Sequence, residues 1–247
     1  MIRKSEEIML YVNDITAGYG KLQILNGMTI RIEKNTITAV LGGNGCGKST
    51  TLKAITGLLP ITSGDILFDG ESLKGVKPQE IVKKGIAYVT QGKDVFPSMT
   101  VEENLHLGAY TIKDRKKIAK NIEMVLEAMP RLKTRFKSPS GVLSGGEQQM
   151  LSIGRGLMSN PKLLILDEPS AALSPKIAEE IYDYVEEIHK SGVTILLVEQ
   201  NVRAALRISD YSYILSEGHV VMEDKTENLR KHPDIKSFYL GNLPGKK

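Results

Sequence analysis

The sequence predicts an α/β protein in which a parallel sheet is joined to an antiparallel β portion and interrupted by a helical insertion, and three observations predict it. Apolar runs, ITAVL at 37–41, LLIL at 163–166 and TILLV at 194–198, have the pattern of strands covered on both faces. Between the last two, Ile177, Ile181, Val185 and Ile188 share one helical face, and the order strand, helix, strand implies parallel pairing. From about Lys93 to Asn160 strand signals fade, while Ile118, Ile122, Val125, Leu126 and Met129 recur at helical spacing.

In chain order, IMLYV at 8–12 opens the β portion, and MTIRI at 28–32 alternates Met28, Ile30 and Ile32 toward one face. ITAVL follows and ends in glycines. DILFDG at 65–70 reads as a hairpin, PQEIVKK at 78–84 as a short helix, and GIAYVTQ at 85–91 as a further buried strand. The helical lobe comes next. KLLILDE at 162–168 and VTILLVE at 193–199 restore the strand pattern, and YSYILSEGHVV at 211–221 closes with a hairpin about Glu217 and Gly218. The last twenty residues suggest a short terminal helix. The sequence contains no internal repeat and no low-complexity tract.

With 41% hydrophobic and 25% charged residues among 247, the chain is long enough to bury a substantial core. Lys and Arg number 33 against 29 acidic residues, and a net charge of +4 is too near balance to indicate nucleic acid. No apolar run reaches the roughly 20 residues of a membrane-spanning helix, and the charged start MIRKSEEIML does not resemble a signal peptide. A single cysteine, Cys46, excludes an intramolecular disulfide framework and suits a reducing compartment. None of the four histidines stands at metal-ligand spacing from another histidine or the cysteine, so no structural metal is expected. The basic stretches KDRKKIAK and RLKTRFK read as solvated helix faces.

GGNGCGKS at 42–49 matches GxxxxGK[ST] and stands after a buried apolar strand and before the helical TTLKAITGLL, which is the context a phosphate loop requires. Gly42, Gly45 and Gly47, with Asn44 and Cys46 between them, let backbone amides turn toward one anion. The helix start adds partial positive charge, with Thr50 in its first turn. Lys48 is expected to reach the outer phosphates and Ser49 to ligate magnesium, making ATP and Mg2+ the expected ligands. At Cys46 two readings stand: a small side chain that fits, or a thiol activated by the helix N-terminus. A carboxylate for the metal comes from KLLILDEP: Asp167 to hold magnesium, and Glu168 beside it to polarise an attacking water. Gln91, ending GIAYVTQ, is a candidate contact to metal or water.

LSGGEQQM at 143–150 carries a second glycine pair behind a serine. With the phosphate loop and the strand-end acids, it resembles the signature sequence of the ATP-binding subunits of ABC transporters, over nearly the whole chain. The resemblance implies the ABC ATPase fold, with residues 1–91 and 160–247 as a nucleotide-binding α/β core plus antiparallel β subdomain and residues 92–159 as a helical signature subdomain. It also implies that Tyr19 stacks on adenine and that Gln91 lies in the loop joining the lobes. In that family two domains face head to tail, so Ser144, Gly145, Gly146 and Glu147 are expected to close on the nucleotide held by a partner ATPase subunit.

VEQN at 198–201 places Gln200 where most such ATPases have a histidine on the terminal phosphate. A glutamine amide donates a neutral hydrogen bond and cannot shuttle a proton. VEQN, TVEENL, LSGGEQQML and the DYSYILSEGHVV hairpin resemble the shorter ATPase of branched-chain amino-acid importers. EPSAALSPK departs from that pattern at Ala171 and Ala172, and Ser174 stands where many ABC ATPases carry aspartate. The resemblance implies permease partners, an indirect link to a solute-binding protein, and a peripheral place on the cytoplasmic membrane face. The alternative is a soluble ABC ATPase clamp, such as an iron–sulfur assembly factor, or an export ATPase of the lipopolysaccharide type.

Overall fold

The computed structural model describes residues 7–92, 94–233 and 235. In chain order the elements are β1 (Ile8–Tyr19), β2 (Leu22–Glu33), β3 (Ile37–Leu41), α1 (Lys48–Ile55), β4 (Ile61–Phe68), β5 (Glu71–Ser72), α2 (Pro78–Lys84) and β6 (Ile86–Val89). Then follow α3 (Val101–Gly108), α4 (Arg115–Ala128), α5 (Pro130–Thr134), α6 (Gly145–Leu157), β7 (Leu163–Asp167) and α7 (Pro175–Lys190). The chain continues through β8 (Thr194–Glu199), α8 (Val202–Ile208), β9 (Tyr211–Ser216), β10 (His219–Lys225) and α9 (Thr226–Lys231). It divides into two compact units, residues 1–81 with 194–247 and residues 82–193.

In the first unit an antiparallel sheet runs in the order β2-β1-β4-β5. The alternation at 28–32 is realised: Met28, Ile30 and Ile32 are buried while Arg31 faces out. Register shifts interrupt the β1–β2 pairing about Asp14, whose backbone is left-handed at φ 51°. Beside this sheet β3 is buried at every residue and pairs in parallel with β8 on one side and β9 on the other. Continuous apolarity is what a strand covered on both faces requires. The β9–β10 hairpin turns at Glu217 and Gly218, as the sequence predicts. One phenol links the layers: Tyr213 Oη donates to the Arg31 carbonyl at 3.0 Å and accepts from the Arg31 amide at 2.9 Å. Burial pushes that phenol's pKa well up, which keeps it neutral and able to donate. Of the predicted terminal helix, α9 is formed over 226–231, and the remainder of the last twenty residues lies outside the described ones apart from 232, 233 and 235.

The second unit pairs β6 in parallel with β7 and carries α3 to α7. On α4 the expected apolar stripe is interrupted by Asn121, which is buried and donates from Nδ2 to the Met158 carbonyl at 3.1 Å. The helix stops at Met129 because Pro130 disfavours helical backbone before it and instead starts α5. α3 and α6 each begin with a capping box, Thr100 with Glu103 and Ser144 with Glu147. Asn104 of α3 is fully buried, and its Nδ2 is near the carbonyls of Phe96, Met99 and Thr100 and the Ser140 hydroxyl at 2.9–3.3 Å. Its Oδ1 accepts the Phe96 amide at 2.9 Å. One side chain therefore fixes both the loop before α3 and the turn that leads into the α6 signature.

Replacing Asn104 with Ala leaves these buried groups unsatisfied and should cost about 2 kcal/mol, or about 4–8 °C in unfolding temperature. Calorimetry that finds the variant within a degree of the parent would show that the network contributes nothing.

Candidate nucleotide site

The loop at 42–49 lies between β3 and α1, at the end of a strand buried at every residue. Gly47, the residue before the helix, has φ 107°, a value side-chain-bearing residues rarely adopt, and a Cβ there would lie 2.9 Å from Leu25 Cδ2. α1 has no side-chain cap and no acidic residue in its first turn. Its first amides therefore present the uncompensated donors and positive dipole end that bind anions. Lys48 is buried and folds over the loop, with Nζ donating to the carbonyls of Gly42 at 2.9 Å and Gly43 at 3.1 Å. Ser49, Asn44 and Gly45 are exposed, whereas Thr50 is buried in the helix.

Cys46 is buried, and its Sγ lies 2.5 Å from where a Gly42 Cβ would stand. The thiol fills space beneath the loop, which supports the first of its two readings. Tyr19 ends β1 with 45% of its surface exposed, and Lys53 Nζ sits 5.5 Å from the ring centroid. An exposed ring at a strand end is a stacking platform, and the neighbouring cation favours an electron-rich partner. Gln200 is exposed after β8. Its amide and that of Asn201 reach Glu199 Oε2 at 3.2 and 3.4 Å. Glu199 is buried and was not singled out from the sequence, although an acid ending an apolar strand is an available signal. It turns the backbone that presents Gln200.

The second unit holds the acids. Asp167 is buried at the end of β7 and accepts from Tyr88 Oη at 3.0 Å. Glu168 follows with a left-handed backbone, φ 47°, and accepts from Gln91 Nε2 at 2.9 Å. A non-glycine residue held at positive φ stores strain, and such residues concentrate at functional sites. Gln91, expected from the sequence to contact metal or water, here donates to Glu168. In this unit the Asp167 carboxylate offers hard oxygen donors, and in the first unit the Ser49 hydroxyl offers one. This suits magnesium, which takes one or two protein oxygens alongside substrate phosphates and water.

At the signature, Ser144 is exposed and caps α6. Its Oγ accepts the Glu147 amide at 3.3 Å and donates to Glu147 Oε2 at 2.7 Å, while its own amide donates to the same oxygen at 2.8 Å. Burial pushes the Glu147 carboxyl up, yet the Ser144 hydrogen bonds and the charges of Arg135 and Arg131 hold it below the usual carboxylate range. Gly146 is buried, and a Cβ there would lie 2.5 Å from Ile177 Cγ2, so only glycine lets α7 approach. Ser174 is the N-cap residue of α7 without a side-chain bond, and Ala172 before it has φ 55°.

A family model described as ABC transporter matches residues 25–171. The high-affinity branched-chain amino acid transport ATP-binding protein BraG of Pseudomonas aeruginosa is 44% identical over 94% of this chain and 100% of its own length. BraF, a second branched-chain amino acid transport ATP-binding protein of that organism, is 30% identical over 94% of this chain and 98% of its own length. Among solved structures, a dimeric bacterial ABC transporter cassette superposes with a TM-score of 0.76 at 26% identity, over 88% of this chain and 99% of the cassette.

Because the Cys46 thiol is buried, maleimide labelling of the folded protein should be slow both with and without ATP. Rapid labelling that ATP suppresses would instead mark an accessible, activated thiol.

Proposed function

Since the chain belongs to the ABC transporter family, we propose that it is the Mg-dependent, ATP-hydrolysing subunit of an importer for branched-chain or related amino acids. The carrying observation is the contrast between two relatives of one organism, 44% identity to BraG against 30% to BraF. Importers of this kind commonly use two different ATPases, and the contrast favours the BraG type. In this reading the protein works as a pair of ATPase subunits, peripheral on the cytoplasmic face of the membrane beneath permease subunits.

The chain's own residues divide the work. The amides of 42–49 and Lys48 hold the triphosphate, and Tyr19 stacks on the base. Ser49 and Asp167 would each offer a hard oxygen to magnesium, which would supply charge neutralisation on the phosphates. Glu168 accepts hydrogen-bonding from the attacking water, with Gln91 orienting its carboxylate and Gln200 donating a neutral hydrogen bond to the terminal phosphate. Ser144, Gly145 and Gly146 of a partner subunit cap the same nucleotide at a second helix start. Charge-assisted hydrogen bonds contribute about 1.5–3 kcal/mol each, so three or four give about 5–10 kcal/mol per site. Association costs about 4–15 kcal/mol. Terms this similar make closure conditional on the nucleotide, and hydrolysis then releases it.

For the permease, support comes from a groove of about 330 Å³ in the second unit. Phe96, Leu107 and Tyr110 on it are 46%, 41% and 62% exposed, an apolar patch of the kind that marks an interaction surface. Arg155 in the groove lies over the Phe96 ring, 5.2 Å from its centroid, and its buried Nη1 has no hydrogen-bond partner among the described residues. Burial pushes the guanidinium pKa down, with Asp94 opposing. A desolvated cation beside exposed aromatic rings suits an apolar permease segment that carries a carboxylate.

The reading predicts that a Glu168→Gln variant with ATP shifts from monomer to dimer in light scattering, and that adding Lys48→Ala abolishes the shift. An unchanged mass with and without ATP would contradict the nucleotide-dependent clamp.

A further inference from the structure

Tyr88 lies on β6, where it pairs in register with Ile165 of β7. Residues in register on parallel neighbours point to the same face, and so do residues two apart on one strand. Asp167 is two residues beyond Ile165, so the Tyr88 ring and the Asp167 carboxylate share a face of the pair, separated along the strand by about 6.6 Å. A phenol side chain laid along the strand covers that span, and its hydroxyl donates to Asp167 Oδ2 at 3.0 Å. Tyr88 is half-buried on this strand. The hydrogen bond at its tip ties the side chain to the end of β7.

We propose that Tyr88 is a positioning residue for Asp167, fixing the plane in which this carboxylate meets the magnesium of the bound nucleotide. The proposal rests on the reading of Asp167 as the metal carboxylate. A carboxylate at a strand end rotates about its last torsion with a broad preference. A donor on Oδ2 selects one orientation before the metal arrives, which lowers the cost of binding. Tyr88 is not a ligand itself, since the hydroxyl donates its proton to Asp167 and remains a phenol.

The test is Tyr88→Phe, which keeps the ring and its packing and removes only the hydroxyl. With the ATP analogue AMP-PNP bound, Mn2+ affinity read by electron paramagnetic resonance should weaken about 10-fold, the low end for loss of a group that orients a metal ligand. Affinity for AMP-PNP in EDTA should stay within about twofold, since a metal-specific role does not touch the phosphate loop. A variant that binds Mn2+ as the parent does, or loses metal-free nucleotide affinity in parallel, overturns the proposal. Parent protein that holds no Mn2+ with the analogue overturns the reading of Asp167 as well, so the two failures are distinguishable. Tyr88→Leu, which removes ring and hydroxyl together, should match the phenylalanine variant in Mn2+ affinity while unfolding at lower temperature; metal affinity falling only with the loss of stability would assign Tyr88 to packing alone.

Discussion

The rest of the structure depends on where a polyanion can be neutralised without a dedicated cage of cations. Among the described residues no group of three or more histidine, cysteine or acidic side chains is placed to hold a metal ion. Beside Lys48, oriented backbone can meet part of that charge, and α1 is built for it: a left-handed Gly47, no side-chain cap and no acid in its first turn. The buried β3, held on both sides by parallel neighbours, gives this loop a rigid base. Affinity at such a site comes from amides already aimed before the ligand arrives, so little ordering cost remains.

The signature helix meets the same requirement differently. At the start of α6 the Glu147 carboxylate accepts from the amide and hydroxyl of the N-cap Ser144, which places a negative charge near the positive dipole end. Where α1 is open, α6 is self-capped. In the proposed clamp, a nucleotide brought to Ser144 would meet this internal anion, whereas one at α1 would meet none.

Much of this was legible in the sequence, and the omissions have physical causes. Fully buried strands such as β3, β7 and β8 announce themselves by continuous apolarity, and the phosphate loop by glycines between a strand and a helix. β1 reads as only five residues because its second half passes through the left-handed Asp14 and exposed positions, where register shifts break the period of two. α8 has seven residues and, unlike α2, no proline at its start to mark it. Tyr88 and Asn104 act through partners far away in sequence, and nothing in a local window distinguishes them from ordinary strand or helix residues, whereas Glu199 carried a local signal as an acid ending an apolar strand.

The central claim, that binding is carried by phosphate on the 42–49 loop rather than by the base, is tested most directly by equilibrium competition among ATP, AMP and adenosine for the parent protein. Two charge-assisted bonds to the outer phosphates should separate ATP from adenosine by about 100-fold or more, with AMP near adenosine. Adenosine competing as strongly as ATP would place the affinity on Tyr19 and contradict the account.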